Sequence, residues 1–326
     1  MNKIEPTNVS PKNFALIGAA GYIAPRHMEA IKKTGNNILS ALDPFDSVGI
    51  IDSYFPNADF FTEPERFDRH LDKKRRNGAG KIDYVSICSP NYLHDAHIRM
   101  ALRNQANAIC EKPIVLNPWN IDALQEIEKE SGKRIFNVLQ LRLHQSIMAL
   151  KEEIDKGPDD KIYDIDLSYI TSRGRWYYHS WKGNQEKSGG IATNIGVHFF
   201  DMLAYIFGKC TSSKVHLTEK QTNAGYLVFE KARVRWILSL NQKYLPANAR
   251  KKNQTTFRSI SIDGEDIDFS GGFTDLHTLV YQDILNGNGF TLEDARTSVE
   301  MVHQIRNSVS IGVKGDYHPF LLKGKS

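Results

Sequence analysis

The sequence has little of what marks disulfide-stapled, membrane-spanning or nucleic-acid-binding proteins. Only three cysteines occur in 326 residues, Cys88, Cys110 and Cys210, without CxxC spacing, which favours a reduced, cytoplasmic protein. No apolar stretch approaches the roughly 20 residues that span a bilayer. The polar N-terminal segment predicts no secretion signal. Basic and acidic residues number 42 and 38, so no basic stripe for nucleic acid is expected.

Metal-binding motifs are missing as well. The sequence contains no HExxH and no cysteine or carboxylate cluster with ligand spacing, so we predict no metal site. An apolar fraction of 40% with 25% charged residues is ordinary for a globular chain. The length exceeds what one hydrophobic core usually fills, which favours two domains.

The pattern of predicted strands and helices differs between the two halves of the chain. The first 140 residues alternate short apolar runs with helical stretches, which predicts βαβ units and a parallel sheet. The runs are FALIGAA (14–20), NILSALD (37–43), YVSIC (84–88), NAIC (107–110) and RIFNVL (134–139). From about residue 157 strand alternation dominates, which is typical of antiparallel sheets. We therefore predict an α/β fold: an N-terminal Rossmann parallel sheet (1–140) that binds a dinucleotide, and a C-terminal α+β domain (141–326) with a large, mostly antiparallel open sheet for substrate binding and oligomerisation.

A glycine turn after the first strand is the predicted cofactor site. Gly18 and Gly21 precede a helix, where backbone N–H groups and the helix dipole meet a pyrophosphate. The motif departs from GxGxxG at Ala20 and Ile23. Asp43 closes the next strand, where a carboxylate accepts ribose hydroxyls and repels a 2′-phosphate, so NAD is favoured over NADP. The alternative is that Asp43 only caps the turn before proline.

The next two strands also end in polar motifs. Ser89 and Asn91 follow one strand and Glu111-Lys112-Pro113 follow the next, on the edge where open α/β sheets bind ligands. At that place Lys112 would stabilise developing alkoxide charge. Proline restricts the backbone of Lys112 and is able to adopt a cis bond.

A second catalytic candidate lies in the C-terminal half. Asn194 and His198 are four residues apart and share one face of a predicted helix. An imidazole is able to accept a hydroxyl proton as hydride leaves the same carbon. Taken alone, His198 is better explained as a structural residue; together with Lys112 and a nucleotide site it is predicted to be catalytic.

These motifs together resemble a known family. The strand–glycine-turn opening, CSPNYLH (88–94), CEKP (110–113) and GGIATNIGVHFFD (189–201) resemble the Gfo/Idh/MocA family of sugar oxidoreductases, in order and over nearly the whole chain. Four further segments look like one branch of it: IGAAGYIAPRHMEAI (17–31), DSVGIIDSYFP (46–56), YITSRGRWYYHSWKG (169–183) and GFTDLHT (272–278).

The resemblance implies a specific reaction. That branch oxidises C3 of UDP-N-acetylglucosaminuronic acid with NAD to a 3-keto sugar, in bacterial lipopolysaccharide and O-antigen pathways, and forms homotetramers. Some of its members re-oxidise NADH with 2-oxoglutarate. The wider family commonly has aspartate where this chain has Asn194. We therefore expect His198 to be the base, Lys112 its partner and Asn194 a positioning residue.

A nucleotide-sugar acid needs cationic and aromatic partners. The segment 171–183 has that composition and is predicted to contact the ligand or another subunit; the alternative is an exposed strand edge. The predicted cofactor-binding residues are Gly18, Ala20, Gly21, Tyr22, Ile23, Asp43, Ser89, Asn91, His94, Glu111, Lys112 and Gln140. The predicted substrate-binding residues are Lys112, Arg142, Arg173, Trp176, Trp181, Asn194 and His198.

Two other functions stay open: a dehydrogenase of another sugar or inositol, and a non-catalytic NAD-binding sensor.

Overall fold

The computed structural model describes residues 10–78, 80–267 and 275–323, and its strands form two six-stranded sheets. The first sheet contains β1 (Asn13–Ile17), β2 (Asn37–Leu42), β3 (Asp59–Phe61), β4 (Tyr84–Ile87), β5 (Asn107–Cys110) and β6 (Ile135–Asn137). These strands are parallel and lie in the order β3-β2-β1-β4-β5-β6. That order is the one of a dinucleotide-binding Rossmann sheet, which confirms the predicted parallel sheet.

The helices between these strands begin and end at residues that favour helix termini. They are α1 (Ala24–Lys33), α2 (Pro64–Asn77), α3 (His94–Arg103) and α4 (Pro118–Ser131). Proline occupies the first turn of α1, α2 and α4, where its missing N–H costs no hydrogen bond. Gly78 and Gly132 end α2 and α4 in the left-handed conformation. Strand β3 was not predicted, and α2 is highly charged and buries only Phe67 and Leu71.

The second sheet is mostly antiparallel, as predicted. It contains β7 (Tyr163–Thr171), β8 (Cys210–Thr218), β9 (Thr222–Phe229), β10 (Ala232–Ser239), β11 (Thr256–Ile262) and β12 (Glu265–Ile267). The order is β12-β11-β7-β10-β9-β8. β7 and β10 run parallel, and the other neighbouring strands run antiparallel.

Helices cover one face of this second sheet. The helices of the second half are α5 (Gln145–Lys156), α6 (Trp176–His179), α7 (Gln185–Ser188), α8 (Val197–Phe207), α9 (Ala247–Lys251), α10 (Leu276–Leu285), α11 (Leu292–Asn307) and α12 (Phe320–Lys323). Phe200 of α8 meets the buried Trp236 of β10 edge-on, with ring centroids 5.3 Å apart. A Cβ at Gly196 would lie 2.5 Å from Leu238 Cδ1, so the chain enters α8 in close contact with the sheet.

The turn before α8 is π-helical. It spans Ala192–Gly196, whereas the sequence predicted a regular helix from residue 192 onwards. The whole helical run 185–207 is also long and apolar enough to pass as a membrane span among the described residues, contrary to the sequence prediction. Because 72% of its most apolar window is buried inside the protein, the run is explained as a core helix lying on the second sheet.

Two C-terminal helices return to the first sheet. Val280, Tyr281 and Ile284 of α10 join the core formed by β1 and α1. Leu292 and Val299 of α11 join the core on the opposite face, beneath α4. Residues of α10 are thereby brought to the carboxyl edge of the parallel strands, where the candidate site lies.

Candidate active site

The glycine turn after β1 passes very close to the end of β4. Gly18 has a φ of +86°, and a Cβ there would lie 2.6 Å from the Cys88 carbonyl carbon and 2.8 Å from the Ser89 nitrogen. The Gly21 N–H donates to the Gly18 carbonyl at 3.0 Å and closes the turn. Only glycine fits at Gly18, because a side chain would collide with main-chain atoms in a conformation that L-residues disfavour.

Two backbone donors in this turn are unpaired. The N–H groups of Tyr22 and Ile23 have no hydrogen-bond partner among the described residues, and they stand immediately before α1. The Ala20 N–H, in contrast, donates to Asp43 Oδ2 at 2.9 Å. The Tyr22 side chain is exposed. The turn therefore fits a dinucleotide pyrophosphate, which Tyr22 and Ile23 would bind through their N–H groups.

Asp43 is both a turn residue and a candidate ribose ligand. Its buried carboxylate accepts from the N–H of Ala20 and from the N–H of Phe45, each at 2.9 Å. A carboxylate has about four lone-pair sites. Two such sites are left for ribose hydroxyls, so the capping interpretation and the cofactor interpretation of Asp43 are compatible.

Three predicted cofactor residues hold the loops of the site together. His94 contacts the Pro113 carbonyl through Nδ1 at 2.7 Å and the Ser89 carbonyl through Nε2 at 2.9 Å, so it joins the loops that follow β4 and β5. The Ser89 hydroxyl contacts His97 Nδ1 at 2.8 Å. The Asn91 amide donates to the Ser188 carbonyl at 2.9 Å and ties the same loop to α7. These side chains build the frame of the site.

Lys112 stands at the end of β5, and the bond to Pro113 is cis. Burial lowers the pKa of the Lys112 ammonium to about 8. The charge of Glu111 opposes this decrease, and the charge of Lys182 adds to it. A lysine with a pKa in this range is able to donate a hydrogen bond and to exchange a proton near neutral pH.

His198, in the first turn of α8, lines a cleft between the two sheets. The same cleft is lined by Gln140, His144, Tyr169 and Arg258. Burial lowers the pKa of His198 well below its usual value, and the charge of Lys112 lowers it further. The imidazole is therefore neutral at neutral pH and able to accept a proton, and it lies near enough to Lys112 for the lysine charge to act on it.

Gln140 and two unpredicted side chains complete the cleft. The Gln140 Oε1 atom is buried and has no hydrogen-bond partner among the described residues, as expected of a group that meets a ligand. The Arg258 guanidinium lies over the Tyr169 ring at 5.2 Å and over the Phe199 ring at 5.8 Å. Sequence reasoning missed Tyr169 and Arg258; their alternating positions on strands β7 and β11 were the only signal.

Arg142 does not have the role that the sequence suggested. Its Nε and Nη2 atoms donate to the two carboxylate oxygens of Asp201 at 3.0 and 2.7 Å. Nη1 donates to Asp294 Oδ1 at 3.2 Å, and Nη2 also donates to the Asp294 carbonyl. With most of its donors used inside the protein, this buried arginine ties α8 to α11, and the prediction of a substrate contact is corrected to a structural one.

The aromatic segment 171–183 begins at the end of β7 and then forms two short helical turns, Trp176–His179 and Trp181–Gly183. Lys182 Nζ lies over both the Trp176 ring, at 5.5 Å, and the Trp181 ring, at 5.3 Å. Burial lowers the pKa of Lys182, and the charge of Arg173 lowers it further. Neither cation has an ion-pair partner within the described ranges. A lysine over two indole rings, with the charge of Arg173 acting on it, suits an anionic ligand.

Asn194 contacts this aromatic segment. Its amide donates to the Tyr177 hydroxyl at 2.8 Å. Because Asn194 lies in the π-helical turn before His198, the bond fixes the segment 171–183 next to the base-bearing helix. This contact agrees with a positioning role for Asn194.

Glu111 lies at the centre of a buried hydrogen-bond cluster. Its Oε1 atom lies 3.0 Å from His27 Nε2 and 3.1 Å from His277 Nε2, and its Oε2 atom accepts the Lys112 N–H at 3.2 Å. The ligand atoms of the three side chains lie within 4.8 Å of one another, a spacing that a metal ion would also accept. Each atom already has a hydrogen-bond partner, so the contacts are explained without a metal.

The histidines of this cluster were not predicted as site residues. A signal exists for His27, which sits on the buried face of α1 with Ala24, Met28 and Ile31. The segment GFTDLHT (272–278) carries His277, but residues 272–274 lie outside the described residues.

Comparisons with known proteins agree with this geometry. A family model described as an oxidoreductase family with an NAD-binding Rossmann fold matches residues 12–138. A second model, the C-terminal alpha/beta domain of the same oxidoreductase family, matches residues 151–266. Together the two cover more than half of the chain.

Solved structures and curated proteins give more detailed matches. The WlbA (WbpB) dehydrogenase from Thermus thermophilus, in complex with NAD and alpha-ketoglutarate, is 48% identical with a TM-score of 0.91, covering 95% of this chain and 99% of that one. A structure of the same dehydrogenase with NAD and UDP-GlcNAcA is 47% identical, with the same TM-score and coverage. The D-glucoside 3-dehydrogenase of Escherichia coli (strain K12) is 26% identical over 200 residues, 61% of this chain and 55% of that protein.

The chain spans about half the length of the curated relatives it matches. The match to the solved dehydrogenase, in contrast, extends over both sheets and nearly the full length of both chains. With the Rossmann sheet, the glycine turn and both family models in agreement, this chain belongs to the Gfo/Idh/MocA family of NAD-binding oxidoreductases.

Proposed function

We propose that this protein uses NAD to oxidise the C3 hydroxyl of UDP-N-acetylglucosaminuronic acid to the 3-keto sugar. The observation that carries the proposal is the convergence of Lys112 and His198 beside the NAD-binding edge of the Rossmann sheet. The substrate is supported by the 47% identity to a dehydrogenase whose crystal structure contains NAD and UDP-GlcNAcA.

The two catalytic side chains divide the work. The neutral His198 imidazole accepts the proton of the C3 hydroxyl, while the Lys112 ammonium donates a hydrogen bond to the same oxygen and stabilises its developing negative charge. Bound NAD supplies the acceptor for the hydride that leaves C3. The sugar thus loses one hydride and one proton, and Asn194 keeps the aromatic segment beside it.

The cofactor is bound by the turn after β1 and by the end of β2. The free N–H groups of Tyr22 and Ile23 bind the pyrophosphate. The remaining acceptor sites of Asp43 bind the adenosine ribose hydroxyls, and the same carboxylate repels the 2′-phosphate of NADP. The unsatisfied Oε1 of Gln140 is a candidate hydrogen-bond acceptor for the ligands in the cleft.

The anionic substrate is bound by the aromatic segment. Arg173 and Lys182 supply positive charge, and the indoles of Trp176 and Trp181 supply flat apolar surface. A second substrate, 2-oxoglutarate, returns the hydride from NADH in this proposal. It is supported by the Thermus thermophilus dehydrogenase structure that contains NAD and alpha-ketoglutarate.

The proposal extends to the whole assembly. We assign dinucleotide binding to residues 1–140, and substrate binding and oligomerisation to residues 141–326. We expect a homotetramer in which the face of the second sheet opposite α8 contacts other subunits. We also expect the protein to act in the cytoplasm, in the synthesis of sugars for the lipopolysaccharide O-antigen. Light scattering of the purified protein tests the subunit number.

The decisive test is product formation. Purified protein is incubated with NAD and UDP-N-acetylglucosaminuronic acid, with and without 2-oxoglutarate, and the nucleotide sugar is followed by mass spectrometry. We expect a product lighter by two hydrogens, lost in Lys112→Ala and in His198→Asn. No conversion in either condition, with NAD bound, would exclude this substrate.

A dehydrogenase of another sugar is the second candidate. The curated relatives include a D-glucoside 3-dehydrogenase and inositol 2-dehydrogenases, which favour this alternative. The cationic and indole-rich segment argues against a neutral sugar, because such a ligand leaves Arg173 and Lys182 unpaired. Turnover of glucosides or inositol that exceeds turnover of the UDP-sugar acid would favour the alternative.

A further inference from the structure

A chain of buried hydrogen bonds runs from β4 to the catalytic strand end. The Ser86 hydroxyl lies 2.6 Å from the Tyr281 hydroxyl, which lies 2.8 Å from His27 Nδ1. His27 Nε2 then lies 3.0 Å from Glu111 Oε1, and His277 Nε2 reaches the same oxygen at 3.1 Å. All five residues are buried, and the chain joins α1, β4 and α10 to the end of β5.

The direction of these hydrogen bonds follows from their partners. A neutral imidazole has one N–H donor and one acceptor nitrogen. The carboxylate of Glu111 only accepts, so Nε2 of His27 carries the hydrogen and Nδ1 accepts from the Tyr281 hydroxyl. The Tyr281 oxygen in turn accepts from Ser86. Every hydrogen in the chain therefore points towards Glu111.

This arrangement stabilises a buried negative charge. Burial alone would raise the pKa of the Glu111 carboxyl, but the hydrogen bonds from His27 and His277 hold it well below its usual value. Burial lowers the pKa of His27, which keeps that ring neutral. A third N–H donor, from the Lys112 main chain, reaches the other carboxylate oxygen at 3.2 Å.

Glu111 precedes Lys112 directly in the chain, and its charge opposes the effect of burial on the pKa of the Lys112 ammonium. The other titratable groups coupled to it are Lys182, His94 and His198, and none of them carries negative charge. Since burial already disfavours the charged lysine, loss of the Glu111 charge would leave that ammonium without a compensating anion.

We propose that His27 and His277 are positioning residues: they hold Glu111 as a buried anion, and that anion fixes the strand-end turn and keeps Lys112 charged. His277 enters from α10, far along the chain, so the C-terminal half of the protein sets the charge state of a residue in the N-terminal half. The inference rests on the proposed catalytic role of Lys112, but its central test needs no substrate.

The test measures the titration of Lys112 in the NAD-bound protein. Acetic anhydride labels uncharged amines, and mass spectrometry of the Lys112 peptide gives the labelling rate at each pH. We expect the titration midpoint of Glu111→Gln to fall by about one pH unit, so that labelling at neutral pH becomes about fivefold faster. His277→Leu should give a smaller shift in the same direction.

Two substitutions of His277 distinguish an effect on the charge of Lys112 from an effect on packing. The amide of His277→Gln keeps an N–H donor towards Glu111, so its Lys112 titration should lie closer to that of the native protein than to that of His277→Leu. His303→Leu, on α11, removes a histidine that does not belong to this cluster and whose ring packs on Trp119, so it should leave the titration unchanged. Circular dichroism confirms that each variant is folded.

Three results would overturn the inference. An unchanged Lys112 titration in Glu111→Gln would show that the anion does not control this lysine. Equal titrations in His277→Leu and His277→Gln would show that the donor is irrelevant. One equivalent of bound zinc, lost in His277→Leu, would mean that the cluster is a metal site. A shifted titration with no turnover of the UDP-sugar acid would instead count against the proposed function alone.

Discussion

Replacing Arg142 by methionine should destabilise the protein without a specific effect on substrate binding. The change leaves the Asp201 carboxylate, whose side chain is 3% exposed, without the guanidinium that pairs with both its oxygens. Removing one partner of a buried pair costs about 3–5 kcal/mol. With an unfolding entropy of ~2.1 cal/mol/K per residue over 326 residues, Tm should fall by about 4–7 °C. Asp294 is more exposed and is re-solvated at less cost.

The assay is thermal unfolding at fixed protein and NAD concentrations, combined with steady-state kinetics of the same preparations. The double variant Arg142→Met with Asp201→Leu removes both charges and should recover most of the lost stability, because no unpaired ion is left in the core. An unchanged Tm together with a KM raised at least tenfold would refute this reasoning and restore Arg142 as a substrate contact.

Three further predictions concern the site. Burial lowers the pKa of Lys112 to about 8, and its charged form is the active one, so kcat/KM should decline as pH rises through about 8. Lys112→Arg should remove that decline. A pH profile that stays level in the native protein would contradict this prediction. Gly18→Ala should weaken NAD binding at least tenfold, as measured by calorimetry. The control is Gly35→Ala, because Gly35 has a φ of +76° and no atom lies within 4 Å of the added Cβ. This variant should have similar backbone strain but unchanged affinity for NAD. Asp43→Ser should lower the affinity for NAD and raise that for NADP in fluorescence titrations; an unchanged preference would leave Asp43 a turn cap.

The fold was largely predictable because its strands are short, apolar and bounded by turns. The strand at Tyr84–Ile87, for example, was predicted to within one residue. Two features of the fold could not be predicted from the sequence. The π-helical turn at Ala192–Gly196 depends on packing against the second sheet, and the return of α10 to the first sheet is a long-range contact that no local pattern encodes.

The site was predicted best where local motifs follow strand ends. Lys112 was predicted this way, since the carboxyl edge of a parallel sheet is the usual place for chemistry, whereas His198 was predicted from its helical spacing to Asn194. Arg142 was misread because composition gives no information about its partners, Asp201 and Asp294, which are distant in sequence. His277 was missed for the same reason: its partner Glu111 lies 166 residues away.

The most direct test of the central claim follows the hydrogen itself. UDP-N-acetylglucosaminuronic acid carrying deuterium at C3 is incubated with the protein and NAD, and the reduced cofactor is analysed by mass spectrometry. The account predicts deuterium in NADH, passing to 2-hydroxyglutarate when 2-oxoglutarate is added. Deuterium retained in the sugar while NAD is reduced would show that oxidation occurs at another carbon, and would contradict the assignment of C3 chemistry to Lys112 and His198.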